Sequence, residues 1–117
     1  VMRKAVRKLP PVCSHQWIDY VDLMAHRAMA RKIRHAPELF NQAWRNISRW
    51  EKSNRGCPPA LREWKTILGD NDLNAVLRIM TRPDEEGNRL RQSSPFCGIL
   101  TDREREAIWT RYDQEQA

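Results

Sequence analysis

The sequence predicts an all-α fold, a compact bundle of five or six short helices preceded by a basic N-terminal arm. Three observations carry that prediction. Apolar residues recur three and four positions apart through successive segments of the chain. No segment shows the apolar–polar alternation of a half-buried strand. Prolines and glycines fall between the periodic segments, where they start and stop helices. The 117 residues form one domain, with 40% apolar residues and five tryptophans to build its core. A chain of that length buries roughly two-thirds of its unfolded surface without covalent staples.

Residues 1–12 read as the arm, closed by Pro10-Pro11, and residues 13–117 as the helical domain. The first helix is expected from Ser14, as N-cap, to Arg34, with Trp17, Val21, Met24, Ala28, Met29 and Ile33 near helical spacing. Arg31, Lys32, Arg34 and His35 gather at its end, where they complement the helix dipole. Pro37 opens a second helix to about Lys52, whose apolar face is Phe40, Ala43, Trp44, Ile47 and Trp50. The Ser53-Asn54-Arg55-Gly56 run ends it, with Gly56 suited to a left-handed cap.

Pro58-Pro59 starts a third helix with Leu61, Trp64, Ile67 and Leu68 inward, and Gly69-Asp70 breaks it. Asp70 or Asn71 then caps a fourth helix that carries Leu73, Val76, Leu77 and Met80. Thr81-Arg82-Pro83 ends that helix, and Asp84-Glu85-Glu86 opens a fifth reaching Arg91, weakened by Gly87. Thr101-Asp102-Arg103-Glu104 has the form of a capping box and starts a sixth helix through Ile108 and Tyr112.

Charge is distributed unevenly. Residues 1–34 hold eight basic residues against Asp19 and Asp22, a net +6, whereas residues 35–117 hold thirteen of each sign. A basic front on a balanced body implies an acidic partner, either nucleic acid or an acidic protein surface. No apolar run approaches the ~20 residues that span a bilayer, and no secretory signal is visible, so a cytoplasmic protein is expected.

Chemistry-bearing patterns are scarce. Cys13, Cys57 and Cys97 are odd in number and far apart, which fits buried or half-buried free thiols better than a disulfide framework or a zinc site. His15, His26 and His35 add no metal-ligand spacing, so neither metal nor cofactor is expected. Glu85-Glu86 and Glu104-Glu106 sit in first helical turns, where the dipole accounts for them. No glycine cluster cradles a phosphate and no serine has nucleophile-elbow glycines, so no enzyme activity is expected. The third and fourth helices imitate a helix-turn-helix, but Asp70, Asn71 and Asp72 would set two carboxylates against the DNA groove. Trp44 and Trp64 lie on the faces of Ile47 and Ile67 and read as core rather than base-stacking platforms. Trp109 fits the core less well, and its exposure would mark a protein interface.

The densest motif is residues 90–105, LRQSSPF-x-G-x-L-x-x-x-ER, in which Phe96, Ile99 and Leu100 plug the bundle and Pro95 and Gly98 shape the turn. Arg91 and Arg103 are expected on nearby carbonyls or glutamates. Together with Ala25-His26-Arg27-Ala28, Ala36-Pro37-Glu38-Leu39, Ala43-Trp44 and Trp50, this motif resembles a small prokaryotic helical domain found after or beside helix-turn-helix proteins of the antitoxin type. The likeness spans residues 23–112. It implies a bacterial toxin–antitoxin or mobile-element setting and a neutralising role, and it carries over no catalytic residue. The likeness departs at the N-terminal side, where a short basic arm stands in place of a helix-turn-helix domain, so DNA-binding autoregulation is not implied.

Two functions therefore follow as expectations. The first is an antitoxin-like module that binds a toxin-like, acidic or nucleotide-handling protein through Arg27, Arg31, Lys32 and Arg34 together with Arg45 and Arg49. The second is a small nucleic-acid-binding regulator that uses Arg3, Lys4, Arg7 and Lys8 with the same first-helix cluster. A structural domain that pairs through exposed Trp or Met faces is a third.

Overall fold

The computed structural model describes residues 11–53 and 58–116, with side chains for 17–53 and 58–111. Among these residues there are six α-helices, a single 3-10 turn and no strand. The elements are α1 (Pro11–His35), the 3-10 turn (Pro37–Phe40), α2 (Asn41–Ser53), α3 (Pro59–Asp70), α4 (Leu73–Met80), α5 (Glu85–Arg91) and α6 (Asp102–Gln116). The fold class is the expected all-α bundle of short helices. No helix among the described residues is long and apolar enough to cross a membrane.

Helix α1 is the spine, packing against the 3-10 turn, α4, α5 and α6. It is already helical at Pro11, so Ser14 lies inside the helix and is not its N-cap. Helical structure therefore includes the last two residues of the expected arm, and residues 1–10 lie outside the described residues. The inward stripe is Val21, Leu23, His26, Met29, Ala30 and Ile33, while Met24 and Ala28 are only half-buried. His35 Nδ1–H donates to the Arg31 carbonyl at 2.9 Å, and the Ala36 amide closes the last turn on Lys32 at 3.0 Å. Pro37 has no amide hydrogen to continue that pattern, so the chain tightens into the 3-10 turn before α2 begins.

The core joins Met29, Ala30 and Ile33 to Ala43 and Ile47 of α2, Leu61, Trp64 and Leu68 of α3, and Val76, Leu77 and Met80 of α4. Leu90, Phe96, Ile99 and Leu100 complete it from the later segment. Trp64 and Phe96 meet edge to face at 5.4 Å between ring centroids, a favoured aromatic geometry. Trp64 is fully buried, whereas Trp44 and Trp50 are half-buried against the same core.

Three helix starts, those of α4, α5 and α6, are set by short polar side chains, whereas α3 starts on Pro58-Pro59 with no side-chain cap. Asp72 is the N-cap of α4 and accepts from the Ala75 amide at 2.8 Å, in place of the expected Asp70 or Asn71. Asn71 instead closes α3, its Nδ2 donating to the Ile67 carbonyl at 2.9 Å. Asp84 caps α5 through the Gly87 amide at 3.0 Å. The capping box of α6 forms as expected: Thr101 N–H donates to Glu104 Oε1 at 2.7 Å, and Glu104 N–H to Thr101 Oγ1 at 3.0 Å. Gly69 and Asp70 do not break α3 but form its last turn. The expected cap at Gly56 lies outside the described residues.

Candidate functional site

The first helix distributes its cations over two sides. Arg27, Arg31 and Arg34 stand one turn apart on a single exposed strip and, with Ala30 and Thr81, line a shallow groove of about 420 Å³. None of the three makes an ion pair among the described residues. By contrast, Arg82 holds Asp84 at 2.6 Å, Arg105 holds Asp102 at 2.7 Å, and Arg89 bridges Glu63 and Glu86. Thr81 turns its hydroxyl inward, donating to the Leu77 carbonyl at 2.7 Å, so the groove offers guanidinium groups and little else.

Lys32 does not belong to that strip. Its ammonium donates to the Ile99 carbonyl and to Glu104 Oε1, each at 2.8 Å, and ties α1 to the start of α6. Lys32, then the Thr101 amide, holds the Glu104 carboxyl below its ordinary range. Arg45 and Arg49 sit outside the groove as well, donating to Gln42 Oε1 at 3.0 Å and Asn46 Oδ1 at 3.1 Å. The cluster expected on α1 and α2 is therefore divided: three arginines share a surface and the other three cations serve local contacts. Arg3, Lys4, Arg7 and Lys8 lie outside the described residues.

The 90–105 motif is held from four directions. Asn46, 1% exposed, donates from Nδ2 to the Pro95 and Cys97 carbonyls, each at 2.8 Å. Its Oδ1 accepts from Gln42 Nε2 and Arg49 Nη2, so the amide is fully used. Trp64 Nε1–H reaches the Leu90 carbonyl at 2.9 Å. Arg91, 3% exposed, donates from Nη1 to the Arg82 and Met80 carbonyls and from Nη2 to Asn88 Oδ1. Arg91 thus meets two carbonyls, as its place in the motif implies, whereas Arg103 is exposed. Cys97, expected to be at least half-buried, is an exposed free thiol, because Pro95 and Phe96 occupy the interior beside it and Gly98, at φ +93°, turns the chain back. Cys13 and Cys57 side chains lie outside the described residues.

His26 closes the fourth side, a role that its linear context does not announce. Its Nδ1–H donates to the Asp22 carbonyl at 2.8 Å, which leaves Nε2 to accept from Ser94 Oγ at 2.7 Å. Ser94 Oγ in turn accepts from the Phe96 amide at 3.2 Å. A serine paired with a histidine has the outline of an activated nucleophile. Here burial pushes the imidazole down to about 4, which makes it a weak base, and the hydroxyl is already holding the turn. The pair is a bond between α1 and the motif. The clue was available in the spacing, since residue 26 falls on the same stripe as Met29, Ala30 and Ile33.

Among the described residues no three His, Cys, Asp or Glu side chains gather as metal ligands. Trp109 is 43% exposed and meets Trp17 edge to face at 4.5 Å between centroids, and Ile18 and Tyr20 of α1 are exposed as well. The chain matches no protein family, no curated protein and no solved structure.

Proposed function

We propose that this protein is a binding module that docks an acidic protein surface through Arg27, Arg31 and Arg34. One observation carries the reading: these three exposed guanidinium groups have no carboxylate partner among the described residues. Like charges three and four residues apart on a helix repel one another, so the strip costs the isolated fold a few tenths of a kcal/mol per pair, on the order of 0.2–0.5. The helix dipole accounts for Arg34 in the last turn but not for Arg27, two turns from the end. An external anion gives all three a role.

The strip's span favours protein over nucleic acid. Seven residues of helix cover about 10 Å, the length over which an acidic helix presents carboxylates on successive turns. Beyond Thr81 the chain runs into Asp84, Glu85 and Glu86, an acidic first turn that a phosphate backbone laid across this side would meet. By its resemblance the domain is an antitoxin-like module in a bacterial toxin–antitoxin or mobile-element setting, and its partner a toxin-like protein neutralised by direct contact. Charge steers the encounter, and apolar contacts around the strip set the lifetime.

Fluorescence anisotropy with labelled poly-L-glutamate and labelled duplex DNA tests the chemistry. Saturable binding of polyglutamate that disappears in Arg27→Glu/Arg31→Glu/Arg34→Glu supports the reading. Preferential DNA binding with a steep salt dependence, reduced by the same substitutions, would replace it with a nucleic-acid regulator.

A further inference from the structure

The arginine strip of α1 faces a second rim. The groove that it lines is bordered on the other side by Thr81, the C-cap of α4. Arg78 stands three residues before Thr81, one turn back on the same helix, and its carbonyl accepts from the Thr81 amide at 3.3 Å. The Arg78 side chain is exposed and makes no hydrogen bond or ion pair among the described residues. The described arginines in that condition are Arg27, Arg31, Arg34, Arg78 and Arg103. All but Arg103, on α6, belong to the two helices that border this groove.

Arg91 adds to the same side. It grips the carbonyls of Met80 and Arg82, which flank Thr81 in the chain, and lies near enough to Arg27 for the two charges to repel. The groove therefore has cations on both rims and a buried one at its α4 side.

Spacing selects what can lie there. Helix geometry sets Arg27, Arg31 and Arg34 about 6 Å and then about 4.5 Å apart along α1. A helix laid alongside repeats its own carboxylates at the same three- and four-residue intervals, so each guanidinium meets one carboxylate in a forked, charge-assisted pair. An extended segment repeats one face every ~6.6–6.8 Å, so its third carboxylate overshoots the third arginine by about 3 Å. Between the rims lie Ala30 and Thr81, small side chains that let a helix approach closely. A carboxylate further round such a helix faces the opposite rim, where Arg78 stands. On the reading that the strip docks an acidic protein, we propose that the partner's docking element is an α-helix seated in this groove. Its carboxylates, three and four residues apart, meet Arg27, Arg31 and Arg34, and a flanking carboxylate meets Arg78.

Fluorescence anisotropy of the full chain with two labelled, alanine-rich peptides of about 20 residues tests the element, a length at which such helices form in water. The two share one composition and are matched in helicity by circular dichroism. One carries its glutamates on a single face, and the other spreads them around the helix. The one-faced peptide is expected to bind about tenfold or more tightly than its scrambled twin. Arg78→Glu should weaken it about three- to tenfold, whereas Arg103→Glu, the same charge reversal on α6, should leave it unchanged. Equal binding of the two peptides, lost for both in Arg27→Glu/Arg31→Glu/Arg34→Glu, would overturn the helix and leave acidic docking in place. Equal weakening by Arg78→Glu and Arg103→Glu would reduce the effect to net charge and remove Arg78 from the site. Binding of neither peptide would end both the helix and the acidic docking. The peptide comparison uses the unmodified protein, so its outcome does not depend on any variant folding.

Discussion

His26 and Gly87 are single residues whose environments make sharp demands. His26 is 4% exposed and neutral, held between the Asp22 carbonyl and Ser94, and burial lowers it to about 4 from an ordinary 6.5. The unfolded chain binds a proton at this position below pH 6.5 while the folded chain resists it until about pH 4. Stability from His26 is therefore complete above pH 6.5 and falls as pH drops toward 4, by about 3 kcal/mol in all. Asp22, raised by burial, has the opposite sign and gives back part of that loss at the acid end. Urea unfolding from pH 7.5 to 4.5 is expected to show a falling midpoint, with the His26 ring signals titrating near 4; a ring that titrates at 6.5 would contradict its burial. Gly87 looks from propensity like a weak point in α5, and its reason lies elsewhere. A Cβ there collides with the Arg82 carbonyl oxygen and comes within 2.8 Å of its carbon, and that carbonyl is the one Arg91 holds. Gly87→Ala is expected to destabilise the protein by about 1–3 kcal/mol in equilibrium unfolding, as overpacking does. A neutral or stabilising change, the usual result of Gly→Ala in an open helix, would show that the approach is not close.

At the level of elements, local chemistry was legible and long-range bonding was not. The capping box Thr101–Glu104, the proline at the start of the second helical segment and the acidic start of α5 are written within three or four residues, and each appears where the spacing puts it. Asn46 and Lys32 look like surface residues in a linear reading, and the expectation that Arg91 meets nearby carbonyls did not say which. Their partners are 49 and 51 residues away for Asn46, 67 and 72 for Lys32, and 9 and 11 for Arg91, and only the folded topology pairs them. Asn46 and Lys32 both donate to carbonyls of the 90–105 motif, whose irregular stretch needs donors from neighbouring helices, while Arg91 ties the motif to the carbonyls at the end of α4. Lys32 also sets the position of α6, whose start it grips through Ile99 and Glu104. Lys32→Ala should speed amide hydrogen exchange in α6 while α4, which packs on α1 and α5 and makes no bond to Lys32, keeps its protection. Equal protection of α6 in the variant and the parent would show that its packing against α1 does not depend on this contact.

For the whole molecule, the charge asymmetry visible in composition becomes a surface with a definite edge. Ten basic residues were candidates for two alternative surfaces; the fold gathers Arg27, Arg31 and Arg34 and assigns Lys32, Arg45 and Arg49 to contacts of their own, and Arg3, Lys4, Arg7 and Lys8 lie outside the described residues. The net +6 of residues 1–34 pointed to an acidic partner, but charge counts alone do not separate a paired arginine from an open one. The most direct measurement is co-purification of tagged protein from its native cells after nuclease treatment, with quantitative mass spectrometry of the bound fraction. It should compare the parent, Arg27→Glu/Arg31→Glu/Arg34→Glu, and Arg45→Glu/Arg49→Glu. A stoichiometric protein partner is expected on the parent and the α2 variant, and its loss from the α1 variant with the helical signal unchanged. The same partner retained at full stoichiometry by the α1 variant, or only nucleic acid recovered before nuclease treatment, would contradict docking through the arginine strip.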